Sequence, residues 1–173
     1  TIDTTFGGSK NAGVTPNTNV VLNSGNVNNV FGGGLDASVT NANVTQNGAT
    51  VTNIFGGNQG GTGDGGETTN ATININNATA QNIYGGNQNK GITRNTTINI
   101  TGNSTVNGEL YGGGLGTEIG RNDAVGSTTI NITGGTIMND INGGSKHSTV
   151  YGKTNINIGK DPVTDDTKAA GNI

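Results

Sequence analysis

One short alternating pattern returns along the chain. It appears as Asn19-Val20-Val21-Leu22, Asn43-Val44-Thr45-Gln46, Thr72-Ile73-Asn74-Ile75, Thr97-Ile98-Asn99-Ile100, Thr129-Ile130-Asn131-Ile132 and Asn155-Ile156-Asn157-Ile158. Successive side chains on a strand point to opposite faces, so a period of two predicts a β-strand with one buried side. The first apolar row is Val20, Val44, Ile73, Ile98, Ile130 and Ile156; the second is Leu22, Gln46, Ile75, Ile100, Ile132 and Ile158. Gln46 is the only polar member of either row.

A second motif, hydrophobe-aromatic-Gly-Gly, is interleaved with the first. Its copies are centred on Phe6, Phe31, Phe55, Tyr84 and Tyr111, with Asn142 in the aromatic place of a sixth. Successive copies lie 25, 24, 29, 27 and 31 residues apart. From strand to aromatic the distance is 11 to 13 residues, whereas from aromatic to the next strand it is 13 to 19. Each unit therefore has a nearly constant half and a half that takes insertions, chiefly around Gly60–Gly66 and Leu115–Gly120.

Sandwich strands differ from one another because each meets a different neighbour. Here the same strand recurs, and identical strands stack best in parallel and in register, about 4.8 Å apart. The expected fold is all-β: a parallel β-solenoid of about six coils of 24–31 residues, with a right-handed β-helix favoured by the coil length. In such a stack, insertions collect in loops on one side. The expected organisation is a repeat domain over residues 1–158 and a C-terminal cap or linker over 159–173, belonging to a longer parent chain.

Composition supports this reading. Of 173 residues, 33 are Gly, 30 Asn and 28 Thr, all poor helix formers. With 28% hydrophobic residues a compact ball would lack core, but a thin stack needs few buried side chains per layer. The net charge of −3 with 2 Pro argues against disorder, and it offers no basic patch for nucleic acid. No apolar run reaches membrane-span length. Cysteine is absent, which excludes disulfides and thiolate metal sites.

Units such as TTINITGGTIMNDINGG and TTINITGNSTVNGELYGGG resemble the Gly/Asn/Thr-rich β-strand repeats of large bacterial secreted or cell-surface adhesin-like proteins. The resemblance covers residues 5–158. It implies secretion or surface display, with adhesion or scaffolding as the role and no catalytic residues to carry over. Partners under that reading are a host or cell-surface glycan or protein, or a second copy stacked head-to-tail.

The aromatic row Phe6, Phe31, Phe55, Tyr84 and Tyr111 either faces outward, as a stripe for sugar rings or a protein partner, or stacks inside a corner of the coil. Asp64, Glu67, Glu118 and Arg121 lie in the variable segments and are the loop candidates. Gly60-Gly61-Thr62-Gly63-Asp64 is one residue short of a calcium-binding nonapeptide and occurs once, so Asp64 and Glu67 are only weak oxygen ligands for calcium, and no other cofactor is expected. Arrays of Thr and Asn raise an ice-binding alternative. Polysaccharide-degrading β-helices raise an enzymatic one, but the 11 carboxylates are scattered and His147 is alone. The favoured expectation is a non-catalytic stalk, adhesin segment or filament subunit. The alternative is a carbohydrate-binding module using the aromatic row or the loops near Thr62 and Thr117.

Overall fold

Strands come in pairs, one pair per coil. In the computed structural model, which describes residues 1–11 and 13–159, β1 (Ile2–Phe6) and β2 (Val14–Leu22) make the first coil, and β3 (Asn26–Phe31) and β4 (Ser38–Gln46) the second. The third coil holds β5 (Thr50–Phe55) and β6 (Glu67–Asn76), the fourth β7 (Thr79–Tyr84) and β8 (Ile92–Thr101). In the fifth, the first strand is split into β9 (Thr105–Val106) and β10 (Leu110–Tyr111); a small hairpin, β11 (Gly120–Arg121) and β12 (Ala124–Val125), precedes β13 (Ser127–Ile132). The sixth carries β14 (Thr136–Ile137), β15 (Ile141–Asn142) and β16 (Lys153–Ile158). The cap or linker expected over 159–173 lies, beyond Gly159, outside the described residues.

Two parallel sheets run the length of the stack. Sheet A follows β1-β3-β5-β7-β10-β15, with β9 and β14 alongside; sheet B follows β2-β4-β6-β8-β13-β16. Among the described residues, only the hairpin pairs antiparallel. The chain is thus a parallel β-solenoid of six coils, as the spacing predicts.

The register is the one the repeats imply. Val20, Val44, Ile73, Ile98, Ile130 and Ile156 pair in succession, as do Phe6, Phe31, Phe55, Tyr84, Tyr111 and Asn142. A one-residue slip would turn every apolar side chain outward, so burial pins this register. The aliphatic core is a column of Val, Ile, Leu and Ala; Ile54, Ile73, Ile83, Ile98, Ile100 and Ile130 are wholly buried. Each such side chain stabilises the fold by roughly 1.5–3 kcal/mol.

The Gly-Gly turn follows from what lies beside it. The first glycine of each pair faces a carbonyl of the next coil: a Cβ on Gly32, Gly56 or Gly85 would run into the oxygen of Gly56, Gly85 or Gly112. The second makes room for a polar side chain, Asn58 beside Gly33, Asn87 beside Gly57 and Ser145 beside Gly113. Across the coil, a buried threonine hydroxyl reaches the first glycine's carbonyl: Thr18 Oγ1 donates to Gly32 O at 2.5 Å and Thr96 Oγ1 to Gly112 O at 2.6 Å. Ala42 and Ala71 stand in the same row without a hydroxyl.

Amide ladders bind coil to coil outside the core. Asn99, Asn131 and Asn157 each donate an amide hydrogen to the preceding rung at 2.8 Å. A second ladder runs Asn17, Asn41, Asn70, Asn95 at 2.9 to 3.2 Å, and a third links Asn29, Asn53 and Asn82 on sheet A. Stacked amides of this kind stabilise in-register parallel arrays. Gln46 is the exception inside: it is fully buried, its Nε2 donates to Ala49 O at 2.6 Å and Thr79 O at 2.8 Å, and its Oε1 has no protein partner.

Candidate functional site

The aromatic row forms one continuous stack. Ring centroids are 5.1 Å apart from Phe6 to Phe31, 4.9 Å from Phe31 to Phe55, 4.9 Å from Phe55 to Tyr84 and 5.9 Å from Tyr84 to Tyr111, with interplanar angles of 13° or less. Because neighbours along a strand point to opposite faces, the rings leave the aliphatic core and make a cluster of their own. The inner rings do not reach solvent. Phe31 and Phe55 are 1% exposed and Tyr84 4%, with Leu115 packed on the cluster. The outward, solvent-facing stripe is therefore corrected to the other arrangement, an internal stack at a coil corner. Only the end rings retain access, Phe6 at 37% exposure and Tyr111 partly buried.

At the C-terminal end of this stack the tyrosines meet charge. Tyr84 Oη donates to Glu109 Oε2, and Glu109 is also paired with Lys146 two coils away from Tyr84. The Lys146 ammonium, and next the Tyr84 hydroxyl, hold the Glu109 carboxyl below the usual glutamate range. Burial, and then the Glu109 carboxylate, pushes the Tyr84 phenol up. Of this trio only Tyr84 is a candidate from the sequence; Glu109 and Lys146 are not. Neighbouring coils set residues one repeat apart side by side, so the 25-residue separation of Tyr84 and Glu109 was the available signal.

The loop candidates do not gather at one point, although Arg121 lies near enough to Glu67 to help lower its carboxyl pKa. Glu67 is taken by Arg94 in a two-pronged ion pair, Nε to Oε1 at 2.6 Å and Nη2 to Oε2 at 3.0 Å, which lowers the glutamate's pKa. Glu118 accepts from the Tyr151 hydroxyl at 3.3 Å. Arg121 sits exposed on the hairpin, beside Asn122 and Asp123. Among the described residues, no three of His, Asp or Glu come together as a metal cluster.

Asp64 lines an open polar groove of about 560 Å³ together with Asn11, Gly13, Asp36, Ser38 and Thr62. Asp36, from the coil before, builds its wall: its carboxylate accepts the Gly61 N–H at 2.7 Å and the Gly63 N–H at 3.2 Å. Lys90, from the coil after, reaches Gly63 O at 3.3 Å. The glycine-rich insertion is thus tied down from both sides. Two conformationally demanding glycines close it, Gly65 and Gly66, at φ of 82° and 61°.

The second insertion is not a loop throughout. Thr117 is 4% exposed and donates its hydroxyl to Asn87 O at 3.1 Å, and Ile119 is wholly buried, bridging Thr93 and Val150 in parallel. What projects is the hairpin after it, where Val125 is 72% exposed.

No protein family, no curated protein and no solved structure matches this chain.

Proposed function

We propose that this chain is a non-catalytic structural segment of a bacterial surface or extracellular protein, serving as stalk, adhesin segment or filament subunit. One observation carries the reading. The polar side chains repeat row by row and are engaged coil to coil, as in the ladder from Asn74 to Asn157, while charged groups such as Glu67, Arg94, Glu109 and Lys146 are tied in pairs. Side chains so engaged hold a rod together; they are not convergent acids, bases or nucleophiles. Six coils at about 4.8 Å give a rod roughly 30 Å long. Antibody labelling of intact source cells tests the reading. Surface labelling that disappears after gentle protease shaving is the expected result; antigen confined to the cytosol overturns it.

The groove at Asp64 favours a second reading, a carbohydrate-binding module. Its carboxylates, hydroxyls and backbone groups match the hydroxyls of a sugar, although no aromatic ring lines it. A glycan array with the intact chain and with Asp64→Ala decides: binding that the substitution removes favours the module, and no binding removes it.

A further inference from the structure

The outer face of sheet B is a broad and almost uncharged surface. Its outward positions begin at Asn17, Asn19, Val21 and Asn23 and continue in register through the coils, mostly as Asn and Thr. The chain has 11 acidic and 8 basic residues, yet within those rows only Lys153, on the last strand, is charged. Mixed charge is what ordinarily keeps an exposed surface from associating.

The hydrogen-bonding state of the face matters as much as its neutrality. A side-chain amide has two N–H groups and an oxygen with two lone pairs. Along the ladder Asn74, Asn99, Asn131, Asn157 each inner rung uses one donor and one acceptor. One donor and one acceptor per rung remain, so the array is balanced and self-complementary. The ladder bonds also fix these side chains, which lowers the entropy lost when they dock.

We infer that this face is a lateral interface between two copies of the chain, packed sheet B against sheet B about a two-fold axis. A second copy has the same rung spacing by construction, so donors meet acceptors along the whole contact. Six strands at about 4.8 Å and four alternate positions at about 6.6 Å span roughly 700 Å² per copy, near the ~800 Å² per partner of a standard interface. No charge lies in these rows on the first five coils, and tightly interdigitated Asn-lined sheets are a known packing mode. The face carries no aromatic platform, which argues against a glycan as its occupant. An isologous contact closes after two copies, unlike end-to-end stacking.

Sedimentation velocity of the full chain, from low micromolar to sub-millimolar, is the test. The wild type is expected to pass from monomer to dimer and stop there. Thr97→Lys, at the centre of the face and without a side-chain bond of its own, is expected to stay monomeric with an unchanged thermal midpoint. Thr52→Lys, exposed on sheet A, is expected to dimerise as the wild type does. A wild type monomeric throughout overturns the inference, as does self-association indifferent to Thr97→Lys. Monomeric protein that instead shows thermal hysteresis, or binds a neutral insoluble polysaccharide through this face, assigns the face to another partner and also overturns it.

Discussion

Asn87 is the hydrogen-bonding hub of the fourth coil, and its removal gives the sharpest test of how the corners are held. The side chain is fully buried. Its Oδ1 accepts from Asn58 N at 2.8 Å, Thr93 Oγ1 at 2.9 Å and Thr68 Oγ1 at 3.2 Å, and its Nδ2 donates to Lys90 O at 3.0 Å. In Asn87→Ala all four bonds are lost. Thr93 Oγ1 keeps the N–H of residue 87, and Lys90 O lies close enough to the surface to find water. The Asn58 N–H and the Thr68 hydroxyl are then left buried without partners. At about 1–3 kcal/mol for each orphaned group the cost is about 4 kcal/mol, a large part of the ~5–15 kcal/mol that keeps a domain folded. Asn58→Ala removes two bonds, from Gly34 N and to Gly65 O, and should cost less. Urea titrations followed by far-UV circular dichroism rank the two midpoints. A further check lies in Gly57, whose missing Cβ makes room for the Asn87 amide. Gly57→Ala alone should be severe, yet combined with Asn87→Ala the loss should fall well short of the sum, because the obstructing amide is gone. An Asn87→Ala midpoint at or above that of Asn58→Ala, or strict additivity with Gly57→Ala, would refute this account of the corner.

Two other outcomes follow from the structure. Ala71→Thr places a hydroxyl where Thr18 and Thr96 have one, opposite the carbonyl of Gly85, and should raise stability by about 1 kcal/mol, read as a higher urea midpoint. The carboxyls of Glu67 and Glu109 are depressed by Arg94 and Lys146, so their contribution is present above the unfolded glutamate pKa of about 4.3 and is lost as pH falls through the lower folded values. Both pairs are partly exposed, which limits each to about 1 kcal/mol. The raised Tyr84 phenol works at the other end: stability is retained below the unfolded tyrosine pKa of about 10 and declines as pH rises beyond it. Thermal midpoints should therefore fall below about pH 4 and above about pH 10, and in an ultraviolet titration Tyr84→Phe should remove a phenol that ionises above the usual tyrosine range.

Much of the frame was legible because the repeat is itself a contact map. Once Ile73, Ile98 and Ile130 are aligned, their pairing follows, and with it the ladders of Asn74, Asn99 and Asn131. The aromatic row shows where that logic stops. Alternation says which way Phe55 points, but its burial depends on what the variable half folds over it, and the repeat says nothing of that. Alternation also fails locally: Val27 and Val30 are both buried although three apart, because Asn28, like Thr52 in the next coil, is passed over in the pairing. The Leu115–Gly120 insertion misled for a related reason. Its length hid the fact that Ile119 resumes the stack between Thr93 and Val150 before the chain departs into the hairpin.

The glycine whose Cα faces the next coil's carbonyl recurs at Gly7, Gly32, Gly56, Gly85 and Gly112. At this corner each junction between layers repeats the same backbone contact. A stretch running from one such glycine to the next can be removed or copied, and the surfaces brought together will already match. Unequal exchange between repeats in the gene would then lengthen or shorten the rod by whole layers without a new fold having to be found. Insertions of partial layers lack that freedom, since they misalign every row beyond them. Length should be the property of this architecture that varies most readily, and layer thickness the one that hardly varies at all.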